Sequence, residues 1–182
     1  ANLTSSAPFT QKLPIGSAYA SKGLAAQLTA IGYSPSDVTH LAFSHFHFDH
    51  TANANMFASA TWLVRQKERD LMFAEPPDPR ATPATYSALK NSKTVIVKDD
   101  EYDVFGDKTV ILKSAPGHSP DHQVLFVNMA KTGPVLISGD LYHYPEEMKF
   151  DRLPAADFNP QQTVASRKAI DAFIKKRHAQ FW

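Results

Sequence analysis

The run His45-Phe46-His47-Phe48-Asp49-His50 constrains this chain more than any other stretch. It follows the apolar segment Leu41-Ala42-Phe43 at once and sets four metal-ligand side chains within six residues. Side chains alternate along an extended chain, so His45 and His47 project to one side of a strand that leaves this segment. Asp49 and His50 come next and can reach round to a second position. Neutral imidazoles and a carboxylate are donors that Zn²⁺ takes at about 2.0–2.2 Å, with iron and manganese as substitutes. The sequence holds 8 His in all, so chance assembly of this pattern is improbable, which argues against a merely solvated histidine-rich loop.

At 182 residues the chain is long enough for one domain that buries roughly 70 % of its unfolded surface. Lys+Arg 19 nearly cancel Asp+Glu 18, and no basic stripe stands out, so no nucleic acid partner is expected. Cys is absent, which excludes disulfides and thiolate ligands and leaves the redox compartment open. No apolar run approaches the roughly 20 residues that span a bilayer, so no membrane is expected. Ala1-Asn2-Leu3-Thr4 has neither the basic start nor the apolar core of a signal peptide.

Short β-like runs alternate with helical segments, which predicts an α/β layered domain. Residues 20–31 read as a helix, with Leu24, Leu28 and Ile31 on one face and Gly32 as the stop. Residues 2–23 show no strand pattern. Residues 39–44 read as the strand that delivers the histidine run, 61–64 as another strand and 66–73 as a helix. Four prolines in 76–83 fix φ and remove donors, so this segment is a loop, either a surface connection or the stiffened wall of a substrate pocket. Strands rich in β-branched residues are predicted at 94–97, 109–112, 124–128 and 135–138. Asn159 and Pro160 supply an N-cap and an N1 proline for a helix to about residue 176. Val164, Ile170, Phe173 and Ile174 form its core side, and Lys175, Lys176, Arg177 and His178 suit the negative end of its dipole. Residues 179–182 read as the start of a further strand.

Two more segments pair a strand with a ligand-bearing turn: Ala115-Pro116-Gly117-His118 projects His118, and Ser138-Gly139-Asp140 exposes a carboxylate. Taken singly, each is an ordinary turn; together with the opening run they supply further donors of suitable type. HFHFDH, then PGHSPDHQ, then SGD in that order resemble the metallo-β-lactamase superfamily. Within it the chain most resembles the N-acyl-homoserine lactonase branch, through Asn53-Ala54-Asn55-Met56-Phe57, Ala60-Thr61-Trp62-Leu63-Val64, Asp103-Val104-Phe105-Gly106-Asp107 and Ser138-Gly139-Asp140-Leu141-Tyr142.

The resemblance implies an αββα sandwich, with residues 1–182 as a single domain of that type, truncated at both ends. It implies two Zn or other divalent transition-metal ions. One would be held by His45, His47 and His118, the other by Asp49 and His50, with Asp140 bridging them. A final histidine of the family, in a short strand after the last helix, is not matched; His178 is the nearest candidate and is expected instead to be a helix-end charge. The implied reaction is hydrolysis of a lactone or related cyclic ester, an N-acyl-homoserine-lactone-like small molecule, by a hydroxide bridging the two metals. Tyr142 is the first candidate donor to the tetrahedral anion and Tyr144 the runner-up, while Asp49 both ligates and accepts the proton. A quorum-quenching role follows for such an enzyme, a homodimer is one option for its assembly, and export to the periplasm or medium is the lean of the resemblance.

The remaining histidines have other expected places. His122 orients its turn or begins the next strand, and could stand behind a ligand; His40 lies exposed on the wrong parity, and His143 lines the pocket without ligating. A β-lactamase would carry Cys or Ser where Asp140 stands. A glutathione thioesterase would need a basic cluster, whereas Lys149, Arg152, Arg167 and Lys168 are scattered. A metal-binding fragment without catalysis is the reading of a different class.

Overall fold

Two short strands precede the first helix, where the sequence pattern predicts none. The computed structural model describes the backbone of residues 9–13 and 16–20 and all of residues 23–182. Strands β1 (Phe9–Leu13) and β2 (Gly16–Ala20) pair antiparallel, with Phe9 opposite Ala20 and Leu13 opposite Gly16. Gly16-Ser17-Ala18 are weak strand formers, so backbone pairing here outweighs side-chain propensity. Because β2 runs to Ala20, helix α1 (Leu24–Ala30) starts later than its periodicity suggests, with Gly23 as an extended N-cap. Ile31, expected on its inner face, is 69 % exposed, since the helix ends before it. Among the described residues no helix is long and apolar enough to cross a membrane.

The described residues divide into two compact units, one made of residues up to Val64 with Leu71–Val95, the other of Arg65–Asp70 with Ile96–Trp182. In the first unit, β3 (His40–Ala42) leads through the histidine run into the single-turn helix α2 (Phe48–Thr51). β4 (Thr61–Val64), placed as predicted, pairs parallel with β3. Helix α3 (Gln66–Met72) follows, its residues up to Asp70 belonging to the second unit, and β5 (Thr94–Ile96) completes a three-stranded sheet ordered β3-β4-β5. Trp62 and Tyr86 are fully buried in this unit. Phe73 stands edge-on to both, at 6.2 and 5.7 Å between ring centroids. The Tyr86 hydroxyl donates to the Met72 carbonyl at 2.7 Å, which satisfies its one polar atom.

In the second unit, β6 (Glu101–Asp103), β7 (Val110–Ser114), β8 (Gln123–Met129) and β9 (Gly133–Ile137) form an antiparallel meander. A short helix α4 (Pro145–Lys149), opened by Pro145, was not legible as a separate element. Helix α5 (Pro160–Arg177) starts as predicted: the Asn159 side chain accepts the Gln162 N–H at 3.1 Å. His178 caps its far end at φ 52, the helix-end place expected of it. β10 (Gln180–Phe181) then joins β9 in parallel, giving the sheet order β10-β9-β8-β7-β6. The core of this unit joins Ile111, Val124, Phe126 and Leu136 from the strands to Ile170 and Phe173 from α5. Each such side chain contributes about 1.5–3 kcal/mol by leaving water. The effect for function is that β7 and β9 each end in a turn carrying a candidate ligand.

Candidate metal centre

In the first unit, His45, Phe46 and His47 are all buried just beyond β3. The two imidazoles converge as the spacing predicts, His45 Nε2 lying 2.8 Å from His47 Nδ1 with the rings edge-on. The His50 ring centroid is 4.1 Å from that of His45. Ser44 Oγ lies 3.0 Å from His45 Nδ1 and 3.1 Å from His50 Nδ1, so one hydroxyl orients two rings. Asp49, in the first turn of α2, points its largely exposed carboxylate to within 3.6 Å of His50 Nε2.

The proline-rich loop supports this turn. The Phe48 N–H donates to the Arg80 carbonyl at 3.0 Å, and the Arg80 guanidinium lies over the Phe46 ring. Asp78 fixes Arg80 by accepting from its Nε and Nη2 at 3.1 Å each, and these bonds hold the Asp78 carboxyl below its ordinary range. The loop therefore does structural work behind the candidate ligands.

In the second unit two imidazoles face one carboxylate. His118 Nε2 is 3.4 Å and His143 Nε2 3.3 Å from the same oxygen, Asp140 Oδ2. His118 Nδ1 lies 3.1 Å from Asp157 Oδ1, and Asp157 Oδ2 accepts from the Thr163 hydroxyl at 2.8 Å. His122 is fully buried and plays the orienting role expected of it: Nδ1–H donates to the Ala115 carbonyl and Nε2 accepts the Asp140 N–H. Burial pushes His118 below its usual range against the pull of Asp140, which favours the neutral, ligating form. The hydrogen bond to Asp140 raises His143 instead.

Tyr142 takes a different direction from its neighbour. Its ring lies edge-on to Phe181 at 5.6 Å and under the Arg167 guanidinium at 4.0 Å, and burial raises its hydroxyl. It is His143, one residue on, that reaches Asp140. Tyr144 is 63 % exposed. Tyr142, His143, Tyr144, Met148 and Phe181 border a largely apolar cleft of about 300 Å³.

The His118 turn is held from behind by residues the sequence pattern did not single out. Glu68 is buried on α3 and accepts both the Ser119 hydroxyl at 2.6 Å and the Asp121 N–H at 2.8 Å. Asp121 in return accepts the Lys67 N–H in the first turn of α3, where a carboxylate is favoured. Glu68→Ala leaves those two donors to find other partners, at about 1–3 kcal/mol for each donor left unpaired. The expected result is a lower urea midpoint at unchanged slope; an unchanged midpoint would remove Glu68 from the support of this turn.

The donor chemistry fits divalent metal. Nitrogen donors about 2.0–2.1 Å from a tetrahedral zinc stand about 3.3 Å apart. The 2.8 Å His45–His47 and 3.4 Å His118–Asp140 approaches are close to that spacing. The His45, His50 and His118 imidazoles are also backed by hydroxyl or carboxylate groups, as metal-binding histidines are.

A family model described as the metallo-beta-lactamase superfamily matches residues 15–179. The chain belongs to that superfamily. It is 30% identical over 169 residues to an N-acyl homoserine lactonase, AttM, of Azorhizobium caulinodans, a match covering 87% of this chain and 62% of that protein. The chain thus spans less than two thirds of that relative. A solved N-acyl homoserine lactone hydrolase with N-hexanoyl-L-homoserine at its catalytic metal centre shares the fold at TM-score 0.77 and 24% identity, over 92% of this chain and 65% of that one. A quorum-quenching N-acyl homoserine lactone lactonase matches at TM-score 0.74 and 27% identity, over 86% and 62%. The mixed α/β fold expected from the motifs is therefore that of the superfamily.

Proposed function

We propose that this chain is the metal-binding part of a hydrolase that opens the ring of an N-acyl homoserine lactone or a related cyclic ester. The carrying observation is the likeness to an N-acyl homoserine lactonase over 87% of the chain, with Asp140 as the carboxylate set against His118. As the resemblance implies, His45, His47 and His118 would hold one divalent ion and Asp49 and His50 a second, with Asp140 available to either. Two such ions, zinc or a substitute, would bring water towards a neutral pKa and polarise a carbonyl oxygen.

The chain's own residues then divide the work. Asp157, an acceptor at Nδ1, favours the His118 tautomer that leaves Nε2 to ligate, and the Ser44 hydroxyl orients the His45 and His50 rings. His122 fixes the backbone of Asp140. Asp49, with its carboxylate largely exposed in the first turn of α2, is the candidate proton acceptor as the ring opens. The apolar cleft beside His143 suits an acyl tail, and Tyr142 at its wall is the candidate hydroxyl donor to the developing anion.

Metal and substrate are tested together. The purified protein should hold about two equivalents of divalent metal by elemental analysis. Ring opening of N-hexanoyl homoserine lactone, read as acid release, should vanish on chelation and return with zinc. A folded protein that takes up no zinc sinks the metal reading. One that binds zinc but turns over only a cephalosporin or a glutathione thioester sinks the lactonase reading. Within the active protein, Tyr142→Phe should lower turnover with metal content unchanged, and unchanged turnover would remove Tyr142 from the reaction.

A further inference from the structure

The cluster around Asp140 contains an imidazole that the family-derived ligand set leaves unused. We propose that His143 is itself a metal ligand, offering Nε2 to the ion that Asp140 holds, with Glu147 as the carboxylate that orients it. This rests on the reading that the chain binds divalent metal.

Convergence is the first support. His143 Nε2 and His118 Nε2 approach the same Asp140 oxygen at 3.3 and 3.4 Å, and their rings meet edge-on at 5.0 Å between centroids. Donors to one ion stand about 3.3 Å apart, so each imidazole already stands at ligand spacing from the shared carboxylate oxygen.

Parallel construction is the second. His118 is backed at Nδ1 by Asp157, and His143 is backed at Nδ1 by Glu147 at 3.3 Å. A carboxylate on Nδ1 favours the tautomer that would leave the Nε2 lone pair available to a metal, and raises its basicity.

The backing is itself anchored. Glu147 Oε2 accepts the His143 backbone N–H at 3.1 Å and the Arg167 Nη2 at 2.9 Å. The Arg167 side chain, 5 % exposed, also donates to the carbonyls of Leu141 and Arg152. One glutamate thus fixes both the backbone and the ring of His143. The rival role is a hydrogen bond to Asp140 and nothing more.

The two roles separate in metal affinity. In zinc-buffered dialysis, His143→Ala and His143→Gln should each weaken the hold on one ion by about a hundredfold or more, and Glu147→Gln by roughly 10–100-fold. The glutamine at 143 retains a hydrogen-bond donor, and it covers the case in which alanine there prevents folding. In the cobalt-substituted protein, His143→Gln should shift the visible absorption bands, and His143→Asp should recover part of the lost affinity. If the wild type binds zinc while His143→Gln keeps its affinity and cobalt spectrum, His143 is only a hydrogen-bond partner and the metal reading stands. If the wild type takes up no zinc, both readings fall together.

Discussion

Replacing Gly117 with alanine is expected to destabilise the second unit by about 3 kcal/mol or more and to weaken metal binding in the same step. Gly117 has φ 140, a backbone region that L side chains rarely adopt. A Cβ placed there would lie 2.3 Å from both the backbone N and the Oγ1 of Thr163. The neighbour cannot give easily, because Thr163 is in the first turns of α5 and bonds Asn159 and Asp157. The close approach has a purpose: the Asn159 N–H donates to the Gly117 carbonyl at 2.8 Å and the Phe158 N–H to the His118 carbonyl at 3.3 Å. The turn carrying His118 is thereby tied to the start of α5 and to Asp157. Gly106→Ala and Gly32→Ala are the controls, since both have positive φ but nothing within 4 Å of the added Cβ. They should cost about 1–2 kcal/mol from backbone strain alone. Urea midpoints and zinc affinities of the three variants decide the matter. Equal losses at all three positions would show that contact with Thr163 is unimportant.

Much of this architecture was legible because its signals are local. Asn159-Pro160 announces the start of α5 through the cap chemistry of two adjacent residues, and the helix begins there. The strand at Thr61–Val64 is equally plain, with bulky and β-branched residues in a short run. The β1–β2 pair was invisible for the opposite reason: Gly16-Ser17-Ala18 carry little strand preference, and pairing depends on the partner strand.

The candidate site divides the same way. Donor types and order along the chain could be read directly, and His45 and His47 do meet as their spacing requires. The groups that hold the donors could not, because they come from far along the chain. Asp157 lies 39 residues from His118, and Glu68 lies 51 from Ser119. No periodicity marks either acid, and only the folded chain gives them a role. Tyr142 and His143 illustrate a finer limit. Adjacent residues on extended backbone point opposite ways, so a one-residue difference decides which of them faces Asp140. The ring of Tyr142 meets Phe181 and Arg167, and that of His143 meets Asp140.

Arg167→Met should be the most damaging single change on α5, at about 3–5 kcal/mol, because it removes one partner of a buried ion pair. The guanidinium makes three bonds at once: to the Leu141 carbonyl at 3.0 Å, the Arg152 carbonyl at 2.6 Å and Glu147 Oε2 at 2.9 Å. It also lies 4.0 Å above the Tyr142 ring. Methionine preserves the volume of the stem but leaves Glu147, 12 % exposed, with an uncompensated charge. Arg167→Lys retains the charge without the planar fork and should fall between the two, since an ammonium cannot serve three directions in one plane. The consequence reaches the candidate metal centre through Glu147, which holds His143 beside Asp140. A double-mutant cycle with Glu147→Gln separates the pair from the two carbonyl contacts. If the coupling between positions 147 and 167 is near zero, the carbonyl bonds carry the stability. If it is 1 kcal/mol or more, the ion pair does, and Arg167→Met should then loosen zinc binding as far as Glu147→Gln does.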